Sequence, residues 1–252
     1  STKLSSAWAA AVGDGKSGRQ FNLVVVGDNQ GFVHGFGEVS WNTVITQANG
    51  SQIKITQGVA DELWAFVPTD LLPYIGYLQQ SSNPHRYGVD GSPTLYLLDR
   101  PGPGEVIGNG KFDLGSTNED ALAIIGLGKG GRSYYALDVT DPAAPSLRWT
   151  LCPDEPDSYP DGRFLQDSGS KAAIGKMGYA TTIPTPARVY LGAKSIVRDV
   201  IFFGGGYSVP ELEANYPTAG ANTKLGRSAV AVEVSTGNIA RVWDFSGVNG
   251  MG

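Results

Sequence analysis

One pattern recurs three times along this chain, and it restricts the fold more than any single motif. An apolar strand ends in glycine, a tight turn follows, a second strand returns, and a later strand carries a tryptophan. The first copy runs Phe21 to Val26, turns through Gly27-Asp-Asn-Gln-Gly31, returns from Phe32 to Phe36 and closes at Trp64. The second runs Leu122 to Ile125, Gly126 to Gly131, Tyr134 to Val139 and Leu147 to Leu151, with Trp149 inside the last strand. The third runs Val200 to Phe203, Gly204 to Gly206, Ala229 to Val234 and Ile239 to Phe245, with Trp243. The tryptophans lie 85 and then 94 residues apart. Repetition at so long a period, with strands and glycine turns in fixed order, is how propeller blades read in sequence. A blade cannot bury both faces alone, so neighbours must stack, and the tryptophans are expected to fill the layers between them.

The sequence therefore predicts an all-β fold of propeller-type repeats with about three elaborated blades, in one partial domain over 1–252. The blade-like units fall at about 21–66, 87–151 and 177–245. Phe21 to Val26 is expected to be a buried central strand, and Ser51 to Thr56 an extra strand within the long excursion from Glu38 to Ala60. Tyr87 to Leu98 and Met177 to Ile183 are expected to be the innermost strands, lining a channel. A closed propeller needs roughly four to eight blades, and three leave an open edge on each side. The chain is expected to be part of a larger modified propeller, completed by other residues or by another chain.

Composition supports this class. There are 35 glycines and 15 prolines among 252 residues, with 41% apolar residues, enough to bury a core between frequent turns. A formal net charge of −5 argues against nucleic acid, whose phosphates need clustered Lys and Arg. No run approaches the roughly 18 apolar residues of a membrane helix. Ser1 to Val12 lacks the charged start of a signal peptide, so an exported protein would be represented here by a processed piece. Cys152, the single cysteine, cannot form an internal disulfide. It reads as a half-buried small side chain, or as a bridge to a cysteine outside this chain.

Around the first tryptophan the chain reads W-A-F-V-P-T-D-L-L-P from Trp64. Pro68 stops the strand, because it has no N–H for a ladder, and the mostly apolar run Leu71 to Leu78 fits one or two helical turns. H-R-Y-G-V-D-G-S-P-T follows from His85, and G-L-G-K-G-G-R-S-Y-Y-A-L-D-V-T-D-P from Gly126. These three motifs, in this order and spacing, resemble the C-terminal domain of PilY proteins, tip-associated adhesin and assembly factors of type IV pili. The similarity is strong from Phe21 to Trp149 and weaker from Met177 to Phe245. The resemblance implies a modified β-propeller acting without catalysis in pilus biogenesis, surface attachment and twitching motility. It implies an exported protein at the pilus tip or outer cell surface. Its partners would be minor pilins of the tip complex, the remainder of the propeller, and a host or abiotic surface. Two other classes compete: a quinoprotein (PQQ-type) dehydrogenase, whose propeller repeats also end in Gly and Trp strands, and a purely structural scaffold for outer-membrane assembly. The enzyme would need a quinone pocket, calcium and a catalytic aspartate, and no such constellation is seen in the sequence.

The remaining motifs read as structure rather than chemistry. Gly126 to Gly131 has the look of a phosphate cradle, but a strand follows it instead of the helix whose N-terminus would hold phosphate. It is expected to be a hairpin turn with glycines at positive φ. Glu105 to Asp113 carries a trace of a calcium loop, with Asn109 and Asp113 as candidate ligands. Position 107 is Ile, however, and calcium requires several oxygens at alternate positions. The D-x-D-x-D-G-x-x-D run that PilY proteins can carry does not occur here. No catalytic or cofactor-binding residue is assigned, and no cofactor is expected in this chain. His34 and His85, the only histidines, lack a Cys or a second His at ligand spacing. Asp90, Asp138 and Asp244 are expected to accept backbone N–H groups in turns. Three insertions, Asp99 to Ala121, Pro153 to Gly175 and Tyr207 to Leu225, should be surface loops. The first two hold ten acidic residues against four basic ones, which predicts an acidic face.

Overall fold

The computed structural model describes residues 20–99, 119–155, 170–190, 197–207 and 225–245, and over these the chain is all-β. β1 (Gln20–Gly27), β2 (Val33–Thr46) and β3 (Gln52–Phe66) form a three-stranded antiparallel sheet in that order. β4 (Thr94–Asp99), β5 (Glu119–Gly126), β6 (Tyr134–Asp138) and β7 (Ser146–Leu151) form a four-stranded meander. β8 (Thr185–Tyr190), β9 (Val197–Gly204), β10 (Ser228–Glu233) and β11 (Ile239–Asp244) form another.

The register shows that these are copies of one unit. In each sheet the glycine closing one strand faces the start of the next: Gly27 pairs with Val33, Gly126 with Tyr134 and Gly204 with Ala229. Two residues further on, each sheet has a bulge, after Gly35, Ala136 and Ala231. A bulge puts one extra residue on the partner strand and increases its twist. The extra residues are Leu63, Arg148 and Ala240.

Stacking explains the strand chemistry. β5 lies between two neighbours and is apolar on both faces. Ala121, Ala123 and Ile125 join Val33, Trp64, Leu71 and Val89 in the layer against the first sheet. Leu122 and Ile124 join Trp149, Ile201, Phe203, Val230 and Val232 in the layer against the third. Burying each such Val, Leu or Ile side chain contributes roughly 1.5–3 kcal/mol.

Trp64 and Trp149 occupy the same place in their blades and do the same thing. Each lies opposite the small residue at the bulge, Gly35 or Ala136. A Cβ on Gly35 would collide with the Trp64 ring. The Trp64 indole N–H donates to the Pro142 carbonyl across the first layer at 2.8 Å. The Trp149 indole N–H donates to the Val234 carbonyl across the second, also at 2.8 Å. Both acceptors lie between the third and fourth strands of the next sheet. These indoles are inter-blade clamps, as the repeat implied. Trp243 departs from the pattern. It pairs with Ala229, two residues before the bulge, and Arg241 stands where the other blades have tryptophan. Trp243 is half-buried on the far face of the third sheet, stacked on Phe202 with ring centroids 6.0 Å apart.

Other expectations are corrected by the topology. Among the described residues β1 is an edge strand, not a central one, and Val24 and Val26 are 56% and 42% exposed because no described sheet covers that face. The returning strand does not stop at Phe36; β2 continues to Thr46 and pairs with a single strand, β3, that takes in both Ser51 to Thr56 and Trp64. Tyr87 to Pro93 and Met177 to Ile183 are linkers, and the strands after them, β4 and β8, are sheet edges. The Leu71 to Leu78 run forms a 3-10 helix, Thr69–Tyr74, followed by the short helix α1, Ile75–Leu78. The second insertion contains helix α2, Ser170–Ile174.

Candidate functional site

The three motifs that carry the PilY resemblance meet at one place, the joint between the first two sheets. Pro68 ends β3, and its carbonyl accepts the Leu71 N–H at 3.0 Å, which starts the 3-10 turn. The turn places Leu71, only 1% exposed, into the first inter-blade layer and directs Asp70 toward the second sheet. There the Asp70 carboxylate accepts the Ser133 hydroxyl at 2.5 Å and the Tyr135 hydroxyl at 2.6 Å. Tyr135 OH also lies 2.9 Å from Thr69 Oγ1. Burial first, and then the neighbouring Asp70 carboxylate, push the Tyr135 phenol far above its ordinary value, so it stays a donor. Sequence reading passed over Asp70. The only signal is a lone acid inside the apolar run P-T-D-L-L-P, where burial without a partner is costly.

The linker after α1 is stitched to both sheets. Val89 N–H donates to the Asp28 carbonyl at 2.7 Å, and Asp90 N–H to the Leu127 carbonyl at 3.1 Å. A Cβ on Gly130 would collide with the Gly88 carbonyl oxygen, so the glycine permits the approach. The linker into the third sheet repeats the device: Ala180 N–H donates to Gly131 O at 2.9 Å, and Gly178 N–H to Gly205 O at 2.6 Å. The Gly126 to Gly131 segment is the expected hairpin turn, and two linkers grip it, although only Gly128 of its glycines has positive φ (61°). Arg132, missed by sequence reading, caps this region. It donates to the Met177 carbonyl at 2.9 Å and the Gly175 carbonyl at 2.6 Å, just past the end of α2, and pairs with Asp154.

The candidate residues are dispersed rather than gathered into a reactive site. Asn109 and Asp113 lie outside the described residues. Among the described residues, no three His, Cys, Asp or Glu side chains are grouped as metal ligands would be. Burial pushes the Cys152 thiol up, so it is protonated at neutral pH and a poor nucleophile. Asp138 accepts from Thr140 N at 3.0 Å and Asp90 from Lys129 N at 3.4 Å, whereas Asp244 pairs with Lys176 at 2.8 Å. The expected acidic face loses three members: Glu119 is 5% exposed, Asp120 pairs with Arg148 at 3.0 Å, and Asp154 pairs with Arg132. Its remaining residues, apart from Asp99 and Glu155, fall outside the described residues.

His34 is more engaged than its sequence suggested. Its Nδ1 lies 2.8 Å from Glu62 Oε1 and its Nε2 3.2 Å from Asp28 Oδ2, tying the β1–β2 turn to β3. The Glu62 hydrogen bond is the main cause that raises its pKa, with Asp28 adding to it and burial opposing. A raised folded pKa means the imidazolium stabilises the fold below the unfolded value near 6.5, and that stability fades as pH rises through the folded value. The stability advantage of wild type over His34→Gln should shrink between about pH 5.5 and about pH 8.5 in urea titrations. A constant advantage across that range would show that the charge does not matter.

Stacked meanders clamped by indoles and gripped by linkers define a propeller-type β array. No family model matches the chain. Among curated proteins, the chain is 27% identical over 232 residues to the type IV pilus biogenesis factor PilY1 of Pseudomonas aeruginosa, covering 90% of this chain and 14% of that protein. PilY1 of another strain of that species is 30% identical over 188 residues, 73% of this chain and 11% of that protein. A PilY1 homolog of Xylella fastidiosa is 29% identical over 149 residues, 55% of this chain and 9% of that protein. The crystal structure of the P. aeruginosa PilY1 C-terminal domain superimposes with a TM-score of 0.46 at 24% identity, covering 90% of this chain and 31% of that one. The similarity to PilY1 proteins extends over 55–90% of this chain. The chain spans only 9–14% of their length.

Proposed function

We propose that the chain is the propeller-type portion of a type IV pilus biogenesis protein, exported to the pilus tip or outer cell surface. It acts there without catalysis, in pilus assembly, surface attachment and twitching motility. Minor pilins of the tip complex are its partners, and its open sheet faces are covered by the remainder of a larger propeller. The observation that carries this reading is the co-linear similarity to PilY1 over 90% of the chain. The engaged side chains favour a structural and binding role, since the polar groups at the blade joint are spent on one another. The test is genetic. Deleting the coding region for residues 20–245 in frame from the full-length gene should abolish surface piliation and twitching, and the wild-type copy should restore both. Unchanged piliation and twitching in the deletion strain would contradict the proposal.

In this reading the chain needs no cofactor of its own. Calorimetric titration with calcium should give no micromolar binding. Micromolar binding that is lost in Asp113→Ala would instead establish the loop with Asn109 and Asp113 as a metal site.

A further inference from the structure

We propose that the cleft between the β1–β2 turn and the segment following α1 binds an acidic sugar, a single ring bearing one carboxylate and several hydroxyls. The cleft has a volume of about 260 Å3, with Asn29 and Gln30 on one side and Tyr77, Gln80, Asn83 and Arg86 on the other. That is just under the roughly 300–1,000 Å3 of drug-sized pockets, which suits one sugar ring better than a chain of them. His85 also lines it, and among the described residues no carboxylate does, in a protein with 24 acidic residues against 19 basic ones.

Arg86 is the decisive group. Its guanidinium sits 3.7 Å from the centre of the Tyr74 ring, which fixes the side chain without neutralising it. Among the described residues no carboxylate pairs with it. A positioned, unpaired guanidinium presents a fork of N–H donors that matches an external carboxylate in bidentate fashion. The wall beside it is already rigid: Tyr77 OH donates to the Pro84 carbonyl at 3.1 Å, Asn83 Nδ2 to the Tyr77 carbonyl at 3.1 Å, and Asn83 N–H to the Gln80 carbonyl at 3.1 Å. A preformed wall lowers the ordering cost of binding. Around it, the side-chain amides of Asn29, Gln30 and Gln80 make no hydrogen bond within the described residues. Each offers a donor and an acceptor together, the combination that adjacent sugar hydroxyls require. The Tyr77 ring, 38% exposed, supplies an apolar surface for the C–H face of the ring.

This inference is independent of the pilus reading, because it concerns the purified chain and free sugars. The 252-residue chain would be titrated with D-glucuronate, D-glucose and acetate by NMR at low salt. Glucuronate should bind in the millimolar range, with glucose and acetate each at least ~10-fold weaker, since a charge-assisted hydrogen bond is worth about a factor of ten or more. Arg86→Gln should weaken glucuronate at least ~10-fold. Gln80→Glu, at an exposed position, should do the same by placing a like charge in the cleft, with the thermal midpoint unchanged. The proposal is overturned if glucuronate binds no better than glucose, if acetate matches it, or if Gln80→Glu leaves binding unaltered.

Discussion

Replacing Trp149 with alanine should lower the stability of the chain by about 3–5 kcal/mol, the range for emptying a buried aromatic site. Trp149 is 5% exposed and lies in the layer between the second and third sheets, edge-on to Phe203 with ring centroids 6.4 Å apart. Its loss opens a cavity between blades and leaves the Val234 carbonyl without its indole donor. Trp149→Phe keeps most of the burial and loses the hydrogen bond, so it should cost only about 1–2 kcal/mol. Urea unfolding monitored by circular dichroism distinguishes these. A midpoint that stays at the wild-type value in Trp149→Ala would mean the indole is not a clamp.

Asp70→Ala should cost about 2–4 kcal/mol, because two hydrogen bonds to a carboxylate vanish at once. Ser133 and Tyr135 are 0% and 1% exposed, so their hydroxyls cannot turn to water when the acceptor is removed. Asp70→Asn keeps one carbonyl acceptor and the side-chain shape, and should cost about half as much. Asp90→Ala is the control. Its side chain is exposed and, among the described residues, accepts only the Lys129 N–H at 3.4 Å, so it should change stability by less than about 0.5 kcal/mol. Equal losses in Asp70→Ala and Asp90→Ala would remove Asp70 from its place as the latch between the first two sheets.

Much of the architecture was legible because it repeats. Strand, glycine turn and return strand appear in the sequence three times, and each became two paired strands with a bulge at the same register. The clamping role of Trp64 and Trp149 was legible for the same reason, since a large apolar side chain at a repeated strand position has to be stacked on something. Trp243 shows the limit. In sequence it looks like a third copy, yet with the bulge at the same register Arg241 takes the clamp position after the extra Ala240, and Trp243 falls two residues beyond it. No residue pattern announces where an extra residue enters a ladder. Val24 and Val26 misled in another way: β-branched runs occur on any sheet face meant to be covered, and whether a neighbour covers it is not written in the strand. Asp70, Arg132 and His34 were hidden because all their partners but Asp28 lie 22 to 65 residues away along the chain. A lone polar residue in an apolar run marks a buried partner without naming it. The cleft beside Arg86 was hidden for a similar reason, since it joins a turn to a segment about 50 residues later.

The stacking of repeated blades through indole clamps underlies the fold, and indole hydrogen exchange tests it most directly. Each tryptophan N–H can be followed by NMR in deuterium oxide and assigned by Trp→Phe substitution. The Trp64 and Trp149 indole protons, bonded across the layers to Pro142 and Val234, should exchange slowly and together, at a rate set by opening of the stack. The Trp243 indole proton makes no hydrogen bond among the described residues and should exchange within the dead time of the experiment. Trp149 exchanging as fast as Trp243 would contradict the stacked-blade account.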